Sequence, residues 1–161
     1  MNGSRGLRPE PMLTMAALLL AAAVGADERV EVVFPTYKEV AEEGAQIALA
    51  LAREKPCKKA FAKVNREFDF VSWLLDGPLP IVISGEAVEN RLGYPADGAS
   101  SCQAGRRIAV NPEIIALFGG SYFAEILLHE GAHLASCGVS GMSRSLSEKN
   151  AAMVVKWCLG R

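Results

Sequence analysis

The chain has 161 residues, half of which are hydrophobic, and a formal net charge of −1 at pH 7. This length and apolar content predict one compact domain with a hydrophobic core of its own. The chain is nearly neutral and lacks the excess of basic residues that is typical of nucleic-acid-binding proteins, so no nucleic-acid partner is expected.

The N-terminus has the pattern of an export signal. Arg5 and Arg8 precede an apolar run over residues 12–24, and small residues lead up to Ala26, the expected cleavage position. The run of about 13 residues is shorter than the roughly 20 needed to span a bilayer, although an uncleaved anchor is the alternative. We therefore expect a signal peptide and a mature domain over residues 27–161, secreted or periplasmic, without stable membrane insertion.

The next segments predict a strand followed by a helix. Residues 30–34 begin with alternating apolar and acidic side chains, as in a strand. Thr36 and Glu39 form a capping-box pattern, and apolar residues then recur at helical spacing. Gly44 lies on the same face and weakens the helix prediction, since a mid-helix glycine costs about 1 kcal/mol against alanine. Pro56 is expected to end this helix.

The middle of the chain predicts one further helix and two short strands. Apolar residues at helical spacing indicate a helix over residues 58–75. A strand is expected at residues 81–83 and another at residues 107–110. Between them, residues 90–105 are rich in small and turn-forming residues, which is typical of a long loop or an irregular hairpin. Residues 113–118 predict a short helix.

Two helices are predicted at the C-terminal end. Gly119 and Gly120 break the short helix, and Ser121 is a good N-cap for a helix over residues 122–136. A turn-rich loop separates it from a last helix over residues 146–158. The order of elements predicts an α+β fold, in which helices pack on one small antiparallel sheet.

All four cysteines lie in the expected mature domain: Cys57, Cys102, Cys137 and Cys158. An even number in an exported chain predicts two disulfides, and four cysteines allow three connectivities. The preferred pairing is Cys137–Cys158 with Cys57–Cys102, because the first bond would join the ends of the last two helices. Free thiols are the alternative. No C-x-x-C pair occurs, which argues against a four-cysteine zinc site.

The only two histidines of the chain, His129 and His133, lie four residues apart on a predicted helix. Residues i and i+4 share a helix face, so both imidazoles can reach one ion. Glu130 would then lie beside that ion as a general base, which is the H-E-x-x-H arrangement of zinc hydrolases. The neighbouring residues are mostly apolar, which favours neutral imidazoles. The alternative is an ordinary pair of histidines beside an ordinary glutamate.

A catalytic zinc site needs a third protein ligand, and no histidine remains to supply it. Glu148 is the first choice, because the turn after His133 is long enough to bring the next helix back. Its carboxylate could instead complete a capping box with Ser145. Cys137 is a weaker candidate, since the eight helical residues from His129 to Cys137 rise about 12 Å. The other carboxylates considered are Asp76, Glu86, Glu89 and Asp97.

Several residues are candidates for supporting roles. Glu125, one turn before His129, could orient an imidazole or interact with the helix dipole. Asn150 could support Glu148 in the same way. The strand at residues 107–110 could form an edge that pairs with an extended peptide. An oxyanion requires a donor besides the metal, and the candidates are Tyr94, Tyr122 and Arg144.

Residues 127–134, LLHEGAHL, closely resemble the active-site helix of the zincin metallopeptidases. With a downstream glutamate as third ligand, the chain is most similar to the gluzincin branch, as in thermolysin-like enzymes. Residues 108–112 resemble the edge-strand segment of minimal zincin domains. The metzincin extension is absent, since Ser136 and Val139 occupy its glycine and last histidine positions. The downstream catalytic histidine and the second domain of thermolysin-like enzymes also have no counterpart.

The resemblance implies an exported zinc-dependent metallopeptidase with a minimal zincin-like domain. His129, His133 and Glu148 would bind Zn2+, and Glu130 would act as the general base in hydrolysis of a protein or peptide substrate. Two alternatives follow from the same residues. The domain could be a non-catalytic zincin-fold binding module, or a zinc hydrolase of a non-peptide amide such as cell-wall material.

Overall fold

The computed structural model describes residues 30–32, 37–76, 81–83, 96–102 and 107–161. The predicted export signal and several candidate residues lie outside these ranges: Thr36, Glu86, Glu89 and Tyr94. In chain order the elements are β1 (Val30–Val32), α1 (Lys38–Arg53), α2 (Lys55–Val64), α3 (Phe70–Asp76), β2 (Ile81–Ile83), β3 (Gly98–Ser101), β4 (Arg107–Val110), α4 (Pro112–Ala135) and α5 (Arg144–Cys158).

The four strands form one mixed sheet in the order β1-β2-β4-β3. β2 pairs in parallel with both β1 and β4, whereas β3 and β4 are antiparallel. Helices with one small sheet agree with the predicted α+β class. The expected antiparallel arrangement holds only for β3 and β4, because three helices separate β1 from β2 and return the chain in the same direction.

β3 is an edge strand of the described sheet, and β4 lies inside it between β2 and β3. The prediction that residues 107–110 form an edge was therefore wrong, although their strand is confirmed. The sequence of β3, GASS, has no alternation of apolar and polar side chains. Residues 90–105 were therefore predicted as a long loop or an irregular hairpin. The antiparallel pairing of β3 with β4 agrees with the hairpin, but the strand at residues 98–101 was not recognised.

Helix α4 lies at the centre of the core and contacts α1, α5, β3 and β4. Buried hydrophobic residues of all five helices and β4 form one cluster. α1 approaches α4 closely at Gly44, where a Cβ would lie 2.6 Å from the Gly120 carbonyl oxygen. A backbone oxygen cannot move aside as a side chain can. The glycine that weakened the helix prediction is therefore what permits this packing.

The single helix predicted over residues 58–75 is divided into α2 and α3. Asn65 Oδ1 accepts a hydrogen bond of 2.9 Å from the Glu67 N–H, and Asp69 Oδ1 accepts one of 3.0 Å from the Val71 N–H. These short side chains compete with the helical hydrogen bonds of the backbone. The apolar residues keep helical spacing across the break between the two helices, so the sequence pattern predicted one continuous helix.

Helical dihedral angles are interrupted within α4 at Gly119, where φ is 75° and ψ is −173°. The break separates the predicted short helix from the helix that carries the histidines. The break falls on a glycine because glycine adopts positive φ without a steric penalty. It lies two residues before Ser121, the expected N-cap. None of the helices in the described ranges is long and apolar enough to cross a membrane.

Two disulfides join Cys57 to Cys158 and Cys102 to Cys137. Two disulfides were predicted, but the preferred pairing of Cys137 with Cys158 and of Cys57 with Cys102 was wrong. Helix α5 folds back along α4, so that its C-terminal end lies near the middle of α4. A helix of 15 residues spans roughly 20 Å. Cys158 is thereby carried away from Cys137, which follows the C-terminal end of α4.

Candidate metal centre

Helix α4 presents both histidines on one face, as their spacing predicts. The Nε2 atoms of His129 and His133 lie 3.2 Å apart. Their side chains are 36% and 18% exposed, whereas Leu127 and Leu128 beside them are fully buried. The buried leucines hold the helix in the core, and the two imidazoles meet at its accessible side.

Helix α5 brings Glu148 to both imidazoles. Its Oε2 atom lies 3.7 Å from His129 Nε2 and 3.6 Å from His133 Nε2. The N-cap of α5 is Ser143, whose hydroxyl accepts a hydrogen bond from a backbone N–H of the first turn. The alternative capping box between Ser145 and Glu148 is therefore not formed. The Glu148 carboxylate lies at the histidines instead.

Among the described residues, His129, His133 and Glu148 form a group that could hold a metal ion. A tetrahedral ion with bonds of about 2.1 Å separates its ligand atoms by about 3.4 Å. The three observed separations, 3.2, 3.6 and 3.7 Å, lie close to this value. The Glu148 side chain is 52% exposed, so the group lies where solvent can reach it.

The electrostatics favour the neutral form of His133. Burial lowers the pKa of His133, because desolvation disfavours the imidazolium. The carboxylates of Glu130 and Glu148 oppose this shift, while His129 and Arg144 add to it. A neutral imidazole is the form that binds a metal ion, so the site is prepared for a metal near neutral pH.

Ser147 is a feature of the site that the sequence analysis missed. Its Oγ lies 2.7 Å from His133 Nδ1. If Nε2 of the same ring ligates a metal ion, Nδ1 carries the proton and donates it to the Ser147 hydroxyl, which would hold the ring in its orientation. Nothing in the spacing of Ser147 indicates this role. The one available signal is its position directly before the predicted ligand.

Glu130 lies on the same helix but outside the three-residue ligand group of the described chain. It is buried, and it borders a cavity that His129 also lines. A carboxylate and a candidate ligand therefore line the same cavity.

Two hydrogen-bonded pairs occupy other positions around this cavity. Tyr122 donates to Asp97 Oδ2 at 2.6 Å, and this bond, with partial burial, raises the pKa of Tyr122 to about 12. Glu125 pairs with Arg161 at 3.3 Å. Asp97, considered as a third ligand, thus bonds to Tyr122. Glu125, considered as a partner of an imidazole, bonds to Arg161.

The remaining candidates are placed as follows. Cys137 is in a disulfide, which removes it as a thiolate ligand. Asn150 donates to the Met142 sulfur at 3.6 Å rather than supporting Glu148. Arg144, the first residue of α5, is exposed but close enough to act on the pKa of His133. The side chain of Asp76 lies outside the described residues.

The outer edge of β3, which faces away from β4, pairs with no strand of the described residues, and β3 packs beside α4. The Asn111 N–H donates to the Asp97 carbonyl, and the residues between them pair in the same register. In an antiparallel pair the hydrogen-bonded positions alternate. The backbone N–H and C=O groups of Gly98 and Ser100 therefore point away from β4. Gly98 also lines the cavity that His129 and Glu130 border.

No protein-family model matches the chain, and no curated protein or solved structure matches it either. A function can therefore be inferred only from the residues of the site.

Proposed function

We propose that the protein is an exported zinc-dependent peptidase. The observation that carries the proposal is the convergence of His129, His133 and Glu148 within 4.8 Å. Glu130 lies on the same helix and borders the same cavity as His129. These four residues are the set expected for metal-assisted hydrolysis, with three ligands and one general base.

The donor set supports zinc as the metal. Two imidazole nitrogens and one carboxylate oxygen, with a fourth position left open, are typical of catalytic zinc sites. Zinc held there would supply a Lewis acid that polarises a carbonyl group and acidifies a water molecule. Ser147 would keep His133 in the tautomer whose Nε2 faces the ion.

Glu130 would move the proton in this reaction. Its carboxylate accepts the proton of the attacking water and then passes it to the departing amine. The outer edge of β3, unpaired within the part of the chain that the structure describes, supports a peptide as substrate, since the outward groups of Gly98 and Ser100 can pair with an extended chain. Such a chain would run beside His129, because Gly98 and His129 line one cavity.

The two disulfides support the export part of the proposal. Disulfides persist in oxidising compartments and are rare in the cytosol. The export-signal pattern in the first 26 residues also supports export.

The first test separates metal binding from turnover. Replacing Glu130 by Gln removes the base but none of the three proposed ligands. We expect loss of casein hydrolysis by about 100-fold or more with zinc content unchanged, since general bases contribute about 10²–10⁴-fold. Glu113→Gln, an exposed change in the first turn of the same helix, is the matched control. Full activity in Glu130→Gln would contradict the proposed role.

The third ligand is tested by Glu148→Ala, with zinc per chain measured by elemental mass spectrometry. We expect the parent to carry zinc and the variant to lose most of it. Zinc retained in the variant would contradict the assignment of Glu148. Zinc bound by the parent without hydrolysis of any peptide would favour a binding module over a peptidase.

A further inference from the structure

The exposed face of α2 is strongly basic. Residues 53–66, which include this helix, contain six lysine and arginine side chains and one acidic side chain, whereas the chain as a whole has a net charge of −1. Four of the basic side chains lie on the helix itself and are exposed to solvent: Lys55, Lys58, Lys59 and Lys63. At about 100° per residue they occupy one face, which they share only with the small side chain of Ala62.

This clustering is unfavourable for the helix by itself. Lys55, Lys59 and Lys63 follow each other at intervals of four residues, so like charges meet on the helix surface. Lys55 is also at the N-terminal end, where the helix dipole disfavours a positive charge. Within the described residues, none of these three lysines lies at ion-pair distance from a carboxylate. Local arrangements that oppose stability in this way are typical of functional surfaces.

The ring of Trp157 on α5 lies beside the same face. Lys63 Nζ is 4.4 Å from the centre of this ring, and Lys59 Nζ is 6.0 Å from it. The disulfide between Cys57 and Cys158 joins the two helices next to this contact, so the tryptophan and the lysines are held side by side. Tryptophan combines an apolar ring with a polar N–H and is enriched where proteins meet the headgroups of a bilayer.

The residue types favour an extended anionic surface over a single bound anion. Arginine, which forms bidentate hydrogen bonds, predominates where one phosphate or carboxylate group is recognised, whereas all four basic residues of α2 are lysines, which act as point charges. They are spread over roughly 12 Å of exposed helix from Lys55 to Lys63. Clusters of about four to eight basic residues are typical of surfaces that bind anionic lipid headgroups.

We propose that the face formed by Lys55, Lys59, Lys63 and Trp157 binds the anionic headgroups of a lipid bilayer and holds the protein at the membrane surface. The proposal goes beyond the proposed function, because none of these residues belongs to the metal centre. Trp157 follows Glu148 by nine residues of α5, about two and a half turns, so the two side chains leave the helix on opposite sides. A bilayer bound at α2 therefore leaves the metal centre facing solvent.

Sedimentation with lipid vesicles tests the proposal. Vesicles of phosphatidylcholine alone are compared with vesicles of phosphatidylcholine and phosphatidylglycerol in equal amounts. We expect the anionic vesicles to bind the protein about tenfold or more tightly, and the difference to shrink as salt is added, because exposed charges are screened. Equal affinity for the two kinds of vesicle, or no binding to either, would overturn the proposal.

Matched charge variants locate the contact. Lys59→Gln with Lys63→Gln removes two charges from α2 and should weaken binding to the anionic vesicles by about tenfold or more. Lys38→Gln with Lys149→Gln removes the same charge from exposed positions on α1 and α5 and should bind nearly as the parent does. Lys59→Arg with Lys63→Arg retains the charge and should keep the affinity. Equal weakening by the two glutamine pairs would overturn the assignment to α2.

Parent and variants are compared in the same exported form, so any contribution of the apolar run at residues 12–24 is common to all of them. Tighter binding to heparin or to duplex DNA than to the anionic vesicles, at one salt concentration, would overturn the proposal in favour of a soluble polyanion.

The fluorescence of Trp157 shows whether this face meets the bilayer, since the other tryptophan, Trp73, is buried. We expect anionic vesicles to protect Trp157 from quenching by acrylamide, and the protection to be absent in Trp157→Phe. Unchanged quenching in the vesicle-bound protein would place the contact elsewhere and overturn the proposal.

Discussion

The Ser147 hydroxyl, 2.7 Å from His133 Nδ1, gives a prediction for a single atom. Ser147→Ala removes the acceptor that orients the imidazole but leaves both histidines and Glu148 in place. Loss of such a supporting bond typically costs about 10–100-fold in metal affinity. We expect a decrease in zinc affinity of this size, measured by competition with a chromophoric chelator.

Ser145 provides the control for this prediction, because it is exposed on the same helix. Ser145→Ala should bind zinc as the parent does, and Ser147→Thr should restore the affinity because it retains a hydroxyl. If Ser147→Ala and Ser145→Ala had equal affinities for zinc, the orienting role would be wrong.

The position of α4 depends on the glycine inside the motif. A Cβ at Gly131 would overlap the Phe70 ring. That ring is stacked on the rings of Phe61 and Trp73, with centroid separations of 4.6 Å and 5.8 Å. Overpacking costs about 1–3 kcal/mol, whereas alanine gains about 1 kcal/mol over glycine within a helix. Because the ring is held on both sides, we expect Gly131→Ala to lower the free energy of unfolding, measured by urea denaturation.

A double-mutant cycle separates these two effects. In a Phe70→Leu background, where the ring is gone, the same Gly131→Ala change should cost less or even stabilise the protein. An equal cost in both backgrounds would show that contact with the ring is not the cause.

Asp69 gives a pH-dependent prediction for α3. Partial burial raises the pKa of Asp69, but hydrogen bonds from the Ser72 hydroxyl and from the backbone N–H groups of Ser72 and Val71 outweigh it, with help from Lys58. The pKa is thereby lowered from its ordinary value of 3.8. Since the folded pKa lies below the unfolded one, the carboxylate stabilises the fold above the unfolded pKa. This stabilisation is lost as the pH falls through the folded pKa.

Asp69→Asn is the comparison, because asparagine caps helices about as well but does not titrate. The difference in urea midpoint between parent and variant should be constant from neutral pH down to about 4 and should then shrink. A difference that stays constant down to pH 2 would contradict the assigned shift.

At the scale of the whole molecule, the two disulfides have different consequences. Cys57 and Cys158 are buried in the core and join α2 to α5, whereas Cys102 and Cys137 join the end of β3 to the end of α4. Removing either bond should cost a few kcal/mol of stability, typically about 2–5 kcal/mol.

Removal of the Cys102–Cys137 bond and removal of the Cys57–Cys158 bond should have different effects on peptide hydrolysis. Replacing Cys102 and Cys137 by alanine frees β3 from α4, so KM for a peptide should rise while zinc content is retained. Replacing Cys57 and Cys158 should lower Tm and leave KM nearly unchanged. Equal changes in KM would contradict a specific role of the Cys102–Cys137 bond in holding β3.

Part of the candidate site could be predicted from the sequence because its signal is local. His129 and His133 share a face through helical periodicity, and Glu130 lies next to the first of them. Glu148 was selected by a coarser argument, the length of the intervening turn, and the structure brings it to both imidazoles. Ser147 was missed, because its contact depends on the rotation of α5 about its own axis.

Part of the fold could not be predicted for a related reason. Asn65 and Asp69 interrupt a continuous apolar pattern through side-chain hydrogen bonds, a competition that periodicity does not detect. The β3 sequence has no strand pattern, and its pairing is decided by β4 and by the Cys102–Cys137 bond.

Helical periodicity is enough to predict the part of the site that lies within one helix: two imidazoles four residues apart and an adjacent glutamate on an otherwise apolar segment. The tertiary structure was needed to show which carboxylate reaches them, which strand edge lies beside them and which cysteines pair. Those outcomes depend on the paths by which α5 and β3 return to α4. Such paths are set by packing between residues far apart in the chain, whereas helical periodicity relates only near neighbours.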